Sequence, residues 1–570
     1  MRDRVVITIP LALLFLHAAL SAFYWLPDTG FASAVAPTWD LLGLVLLVAG
    51  YAWLRDRYGP AAGTDKAPGR AGPRGGGARS RPYRLWTWLD RALSAALVLV
   101  VAVFFVLGFA QGFAHREFGY DVILVLHLPF VPELFSMMYS AEPLGMFVLY
   151  CALLIVGIAL VVVVTYLAVT TLLRGARAVR VRRAMVGGVA LFTMVGGIAL
   201  SVQPTLGAEA AKQISYAVNL DDRLQARALE IEAESERLRA RSPFADMQDP
   251  PSIYVFTIES YGAVVFRDEE MWGWAEEFMA ESEKKASEAG YHSRTGYLDC
   301  PVFGGSSWMA QATMLCGTTI SDQESYDGLL RADATCAPRA LNEAGYRTSV
   351  VGGNITYLDE GYERNFPFDG HYYFDELSYE GRRYSWSKVP DQYVINFLHE
   401  REVLQHPDTP RYIHYKLTNS HHPWDEVPPY ADDWSRIDDG SEVFSRRGEN
   451  FDNRFLEGEN YRPGYWATVK YSMRSVFDYL EKIPEDDALI VILGDHQPRS
   501  PVADMDDNTW WTPVHVLSRD PRVIEHYGEL GYVEGIVPPD LDPDDPKAQP
   551  DALADLFLHI FHPYDHDATD

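Results

Sequence analysis

Asp495 and His496 stand at the end of the run Leu489-Ile490-Val491-Ile492-Leu493-Gly494. A carboxylate beside an imidazole offers a hard oxygen and a nitrogen, a ligand pair suited to a divalent ion such as zinc or manganese. Taken alone, the pair also reads as a polar turn after a strand. Glu259 closes a second run of this kind, Ile253-Tyr254-Val255-Phe256-Thr257-Ile258. Gly304-Gly305-Ser306-Ser307 opens a stretch of helical character that reaches Cys316. The N-terminus of a helix favours negative charge, so a serine there is suited to act as an alkoxide and to receive a phosphoryl group. The plainer reading is an N-cap. Thr418-Asn419-Ser420-His421-His422 follows another strand, where a histidine can bind phosphate oxygens or protonate a leaving group. Gly352-Gly353-Asn354 also sits just past a strand.

The elements that must position these groups follow from the pattern between them. Continuous apolar runs closed by Gly or Pro read as buried strands of a parallel sheet. Strands over 253–258, 346–351, 412–417 and 488–493 alternate with helices over 269–289, 337–344, 391–404 and 464–482. A further strand over 513–517 and a closing helix over 550–561 complete the series. This alternation predicts a mostly parallel α/β/α sandwich. Sites in such sheets form beyond the carboxyl ends of the strands. Glu259, Ser306 or Ser307, Asn354, His421 and Asp495-His496 all fall at strand ends or helix starts, and so are expected on one edge. That convergence favours a metal site over a set of unrelated turns.

The first 203 residues differ from the rest. Apolar stretches over about 5–26, 38–54, 91–113, 145–173 and 184–203 read as five membrane spans. Residues 55–84 carry eight basic residues against Asp56 and Asp65, and Arg174, Arg177, Arg180, Arg182 and Arg183 follow the fourth span. With a cytoplasmic N-terminus both basic loops lie inside, and the fifth span delivers the remainder outside. The expected organisation is a five-span anchor over 1–203, a helical linker over 204–250 and an extracytoplasmic domain over 251–570. The spans lack runs of ionisable residues, which argues against a transporter or proton pump. The anchor carries net +7 and the whole chain −29, leaving −36 for residues 204–570. Such a surface repels the phosphate backbone and excludes nucleic acid as a partner. Of four cysteines, Cys151 lies in an apolar run. Cys300, Cys316 and Cys336 predict one disulfide and one free thiol if the domain is extracytoplasmic.

With these motifs in order, the sequence resembles the alkaline phosphatase/sulfatase superfamily. Within it the likeness is to membrane-anchored lipoteichoic acid synthases and phosphoglycerol or phosphoethanolamine transferases. The likeness covers about 253–520 and rests on Thr257-Ile258-Glu259-Ser260-Tyr261-Gly262, the Gly304–Gly317 segment, Asn419-Ser420-His421-His422-Pro423-Trp424 and Gly494-Asp495-His496-Gln497-Pro498. The resemblance implies one divalent ion (Mn2+, Mg2+ or Zn2+) held by Glu259, Ser307, Asp495 and His496. It implies Ser307 as nucleophile, with Ser306 as the alternative, and His421 as a catalytic group. His422, Asn354, Arg364 and His515 are the further candidates for the substrate pocket. A disulfide between Cys316 and Cys336 is implied in the same way, leaving Cys300 free. The sequence departs from the family by having Ser for Thr at the nucleophile and Gln311 for a Glu four residues on. Cys336-Ala337-Pro338-Arg339 falls one place short of the sulfatase C/S-x-P-x-R motif, so formylglycine chemistry is not expected.

The implied activity is transfer of a phosphoglycerol or phosphoethanolamine headgroup from a membrane phospholipid to an envelope glycan or lipid acceptor, through a phosphoserine. The alternative is an anchored phosphodiesterase or phosphatase that uses water. A third reading is a degenerate, non-catalytic domain.

Overall fold

The computed structural model describes residues 2–25, 39–59, 81–132, 135, 139, 144–200, 206–240, 250–353, 360–384, 386–451, 461–505, 509–545 and 549–560. Asn354, the Ser242-Pro243 break and most of the basic Gly/Pro-rich loop lie outside these residues. The chain forms two units, one of Met1–Arg116 with Tyr120–Asn219, the other of Glu117–Gly119 with Leu220–Asp570.

The first unit is helical: α1 (Arg2–Trp25), α2 (Trp39–Tyr58), α3 (Arg81–Phe118), α4 (Leu144–Gly175), α5 (Val179–Leu200) and the start of α6 (Leu206–Ala240). Each apolar stretch read as a span lies largely within one helix. Two segments, Leu85–His115 and Leu144–Gly175, are long and apolar enough to cross a membrane, and Thr8–Leu20 is a shorter apolar run. Leu16, Val45, Val48 and Leu172 pack inside this unit, whereas Leu153, Leu154, Ile155 and Val156 of α4 are exposed. A helix that is apolar on its outer face as well as its inner one suits a lipid surrounding.

The second unit is built on a nine-stranded sheet. Its strands are β1 (Ile253–Ile258), β2 (His292–Asp299), β3 (Arg347–Gly352), β4 (Gly370–Tyr372), β5 (Arg411–Leu417), β6 (Leu489–Gly494), β7 (Trp511–Ser518), β8 (Val533–Glu534) and β9 (Asp551–Ala552). The spatial order is β8-β2-β7-β6-β1-β5-β3-β4, with β9 beside β2. The block β6-β1-β5-β3-β4 is parallel, and β7 joins it antiparallel to both β6 and β2. In β1, Ile253 and Val255 enter the core on one face, while Tyr254 and Phe256 enter the core on the other. Burial on both faces is why β1 and β6 read as near-continuous apolar runs, while β5, equally buried, carries Arg411, His414 and Lys416.

Helices α7 (Glu269–Glu288), α8 (Ser307–Cys316), α9 (Gln323–Arg331), α10 (Ala337–Glu343), α11 (Asp391–Leu398) and α12 (Tyr461–Tyr479) belong to this unit. Asp268 caps α7 by accepting from Met271 N at 2.9 Å, and Asp322 caps α9 by accepting from Ser325 N at 2.7 Å. These caps satisfy amide groups that the first turn leaves unpaired.

The second half of α6, read from sequence as linker, belongs to this unit. Leu224, Ala228, Ile231 and Leu238 are buried. Arg227 donates to Thr319 O at 2.8 Å and Arg237 to Gly317 O at 2.7 Å. Gly317 ends α8 at φ +62°, with Leu238 only 3.2 Å from where a Cβ would sit. A disulfide joins Cys316, the last residue of α8, to Cys336 at the start of α10. Both fasteners act at the C-terminal end of α8, opposite the end that carries Ser307.

Candidate metal and phosphoryl-transfer site

The register of the parallel sheet builds the floor of the site. Ile258 of β1 pairs with Gly494 of β6, so the residues that follow, Glu259 and Asp495, leave the sheet side by side. The Glu259 amide extends the pairing by donating to Leu417 O at 2.9 Å. Gly494 is required there, because a Cβ would lie 1.7 Å from the Tyr261 carbonyl oxygen. Ser260 adopts φ +56°, and its amide donates to Asp495 Oδ1 at 2.8 Å.

Ser307 arrives from the other direction. Phe303 bridges to Gln497, and Gly304 N donates to Gln497 O at 3.1 Å, tying the serine loop to the turn after β6. Ser307 is the first residue of α8, and Ser306 is its N-cap in a left-handed conformation, φ +64°, without a capping hydrogen bond. Ser307 Oγ lies 3.0 Å from both carboxylate oxygens of Glu259 and 3.1 Å from His496 Nε2. Of the two serines, Ser307 is therefore the one that meets Glu259 and His496.

His496 Nδ1 is engaged with Gln497 O at 2.7 Å, which leaves Nε2 facing the cluster. That nitrogen lies 3.2 Å from Glu259 Oε1 and 3.7 Å from Asp495 Oδ1. Glu259, Asp495 and His496 form the one metal-competent group of His, Cys, Asp or Glu found among the described residues, with ligand atoms within 4.8 Å of one another. Ligands of one ion at roughly 2.0–2.2 Å each sit about 3–4 Å apart, the spacing seen here. Asp495 Oδ2 is buried without a hydrogen-bond partner, and a buried orphan acceptor of this kind is costly unless a cation fills the position. The donor set fits a divalent ion.

The metal-free electrostatics point the same way. Burial would raise the Glu259 carboxyl, but hydrogen bonding to His496 and the nearby imidazoles hold it below the usual range. Burial and the Glu259 charge push Asp495 up. Burial would lower His496, but Asp495 and Glu259 outweigh it and raise it. Two carboxylates held this close share protons with the imidazole, and a cation relieves the same conflict.

His421 sits in the turn after β5. Its Nδ1 lies 2.6 Å from His422 O, and its ring stacks on Trp386 with centroids 3.6 Å apart. Burial lowers it, opposed by the charge of Glu259. The turn is held by Asp391, at the start of α11, which accepts from Thr418 N at 2.8 Å and Ser472 Oγ at 2.6 Å. Burial pushes Asp391 up to about 7. His422 stacks on Tyr461 with centroids 5.7 Å apart. Burial, with Arg499 and His421 beside it, drives His422 down to about 3.

His515 and Arg364 have partners of their own. His515 is inside β7, with Nε2 3.0 Å from Tyr261 Oη and Nδ1 3.0 Å from Thr295 Oγ1. Both ring nitrogens are engaged and the side chain is buried, so it serves the sheet interior and has no atom for a substrate. Arg364 spends Nη2 on the Leu330 carbonyl near the end of α9. Sequence reasoning missed Asp391, Trp386 and Arg499; the last influences both His421 and His422 electrostatically. An Asp after Pro390 looks like a solvent-exposed helix start, and only the tertiary fold shows what it holds.

Lys416, at the end of β5, was also passed over. Its Nζ donates to Tyr362 Oη at 3.0 Å, and burial lowers it to about 7. In the unfolded chain a lysine titrates near ~10.4, so between these values the unfolded state holds the extra proton. Stability is expected to rise with pH from about 7 to ~10.4, by up to about 1.4 kcal/mol per pH unit from this group. Urea unfolding of wild type and Lys416→Met at pH 7, 8 and 9 checks this: the variant should show a flatter dependence. Equal slopes would contradict it.

Residues 310–516 match the sulfatase family model. No curated protein sequence matches the chain. Among solved structures it is similar to the lipoteichoic acid synthase LtaP from Listeria monocytogenes, at 13% identity over 57% of this chain and 78% of that one, TM-score 0.36. It is also similar to the C-terminal periplasmic domain of EcEptC from Escherichia coli in complex with Zn, at 15% identity over 57% and 85%, TM-score 0.35. A third is the phosphoglycerol transferase GacH from Streptococcus pyogenes in complex with sn-glycerol-1-phosphate, at 15% identity over 52% and 75%, TM-score 0.32. Structural likeness at these scores carries nothing about chemistry. Cys336, the residue nearest a formylglycine motif, is half of a disulfide, which leaves no thiol there for that conversion.

Proposed function

We propose that this sulfatase-like phosphotransferase or hydrolase, a member of the alkaline phosphatase/sulfatase superfamily, is a membrane-anchored transferase. It moves a phosphoglycerol or phosphoethanolamine headgroup from a phospholipid to an envelope glycan or lipid acceptor through a phosphoserine. The observation that carries this reading is the meeting of Ser307 Oγ with Glu259 and His496 at 3.0–3.1 Å, beside the orphan oxygen of Asp495. Ser307 is partly exposed while Glu259, Asp495 and His496 are buried, so the hydroxyl is the member of the group that a substrate can reach.

Glu259, Asp495, His496 and Ser307 would hold one divalent ion, which when bound supplies Lewis-acid stabilisation of charge on the serine and phosphoryl oxygens. Ser307 Oγ attacks phosphorus as its alkoxide, its proton having passed to solvent, and the bond to the lipid alcohol breaks. An incoming phosphate anion favours the imidazolium of His421, whose Nε2 proton goes to the departing oxygen. The neutral ring then takes the proton of the acceptor hydroxyl as that oxygen bonds to phosphorus and Oγ is released. Arg499 adds positive charge near the two histidines in a domain that is otherwise strongly acidic.

The five-span anchor, with the N-terminus in the cytoplasm and the domain outside, belongs to the same proposal. It holds the site beside the leaflet that contains the donor and raises its effective concentration. The test is product analysis on purified full-length protein with labelled phospholipid, with and without envelope glycan. Label on the glycan supports the transferase. Free phosphoglycerol or phosphoethanolamine as the sole labelled product under both conditions would replace it with the hydrolase.

A further inference from the structure

We propose that Trp386 is a positioning residue for proton transfer by His421. This rests on the reading of His421 as the acid that protonates the leaving alcohol. The two rings stack with centroids 3.6 Å apart and an interplanar angle of 14°. On its own side, His421 is fixed by Nδ1 against His422 O at 2.6 Å. The stack and that hydrogen bond together constrain the tilt and the flip of the imidazole, leaving Nε2 as the ring nitrogen not engaged by His422 O, on a ring close enough to Glu259 and His496 to feel their charge.

Trp386 is itself held by a built turn. Tyr384 N donates to Lys388 O at 3.1 Å and Lys388 N donates back to Tyr384 O at 3.0 Å. Tyr384 is fully buried, and its hydroxyl donates to Phe444 O at 2.9 Å. Ser387, next to Trp386, accepts from Asn419 Nδ2 at 2.6 Å. Asn419 Oδ1 in turn accepts from Asp391 N at 2.6 Å. The turn that carries the indole and the turn that carries His421 are therefore fastened to each other and to α11. A surface tryptophan that merely covered apolar area would not need this cross-tie. An indole face also favours a cation above it, so it suits the imidazolium that the first half-reaction consumes.

In the first half-reaction the Oγ–P bond forms, the P–O bond to the leaving alcohol breaks, and the Nε2 proton moves to that oxygen. The need for the proton depends on the alcohol: an alkoxide leaving group requires it, whereas a nitrophenolate does not. Misplacing the ring should therefore penalise alkyl esters selectively.

The experiment compares full-length wild type, Trp386→Leu, Trp386→Phe and His421→Ala on two phosphodiesters that share the transferred group, one with an alkyl and one with a nitrophenyl leaving group. His421→Ala should lose on the order of 10²-fold in kcat or more on the alkyl ester and only a few-fold on the nitrophenyl ester. Trp386→Leu should reproduce this split, with KM little changed for either substrate. Trp386→Phe, which keeps an aromatic face, should recover most of the loss. The double variant Trp386→Leu/His421→Ala should be no slower than His421→Ala alone. Equal losses on both esters, or a loss confined to KM, would make Trp386 a structural or substrate-contact residue and overturn the proposal. If His421→Ala shows no leaving-group dependence, the acid reading of His421 fails and the proposal falls with it. If His421→Ala shows the split and Trp386→Leu does not, the positioning role alone fails.

Discussion

Ser307→Ala is expected to lower turnover by roughly 10⁴-fold or more, and to abolish the labelled phosphoserine trapped from phospholipid. The reason is geometric. Ser307 Oγ is within 3.0–3.1 Å of Glu259 and His496, and among the described residues no other hydroxyl touches both. Ser260 Oγ comes within 3.3 Å of Glu259, but it is buried beneath the site. Ser306 is the control. Its φ of +64° is a conformation that glycine adopts without strain, so Ser306→Gly should fold and should keep turnover within a few-fold. Folding of Ser307→Ala should be changed by only about 1 kcal/mol, the worth of one hydrogen bond, so lost activity would not be lost structure. Peptide mapping of the label distinguishes the two serines. Undiminished phosphoserine in Ser307→Ala would reassign the nucleophile.

Removing the metal is expected to have the second-largest effect. Chelation should abolish turnover, and returning Mn2+, Mg2+ or Zn2+ singly should restore it with the cognate ion. A ligand at 100 times its Kd stabilises the folded state by about 2.7 kcal/mol, which a melting curve reads independently of activity. Asp495→Asn separates the roles of this carboxyl. Its folded value is raised to about 7, above the unfolded value of ~3.9. In the metal-free protein its contribution is therefore full below the unfolded value and is lost as pH rises through about 7. Replacing it with a neutral amide should leave metal-free stability at pH 8 equal to or higher than wild type, because the repulsion with Glu259 is gone. The same change should erase the metal-induced gain in melting temperature and most of the turnover. A variant that keeps the full metal-induced gain would remove Asp495 from the ligand set.

The parts of this site that lie at strand ends were legible in the sequence. β1 and β6 are buried on both faces and almost wholly apolar, so the first charged residue after each marks the sheet edge; Glu259 and Asp495 stand out for that reason. Their side-by-side arrangement was not legible, since it depends on the register that pairs Ile258 with Gly494. β2 was missed because His292, Ser293, Arg294 and Thr295 are polar and its buried residues are concentrated at its second half. Its ladder with β7, antiparallel over eight residues, is a tertiary fact. His515 drew notice as a histidine in a late strand, yet Tyr261 and Thr295 claim it from two other parts of the chain. Asp391 and Trp386 act through residues about 30 to 80 positions away, and neither has a local pattern.

The way α6 lies against the second unit decides where a stand-alone soluble fragment can begin. A cut at residue 250, the boundary suggested by the prolines, strips Leu224, Ile231 and Leu238 from their seats. At roughly 1.5–3 kcal/mol for each large apolar side chain, that forfeits an amount comparable to the whole net stability of a typical domain, ~5–15 kcal/mol. It also bares a greasy strip beside Cys316 and Gly317. A recombinant piece opening just before Leu220 keeps these seats filled.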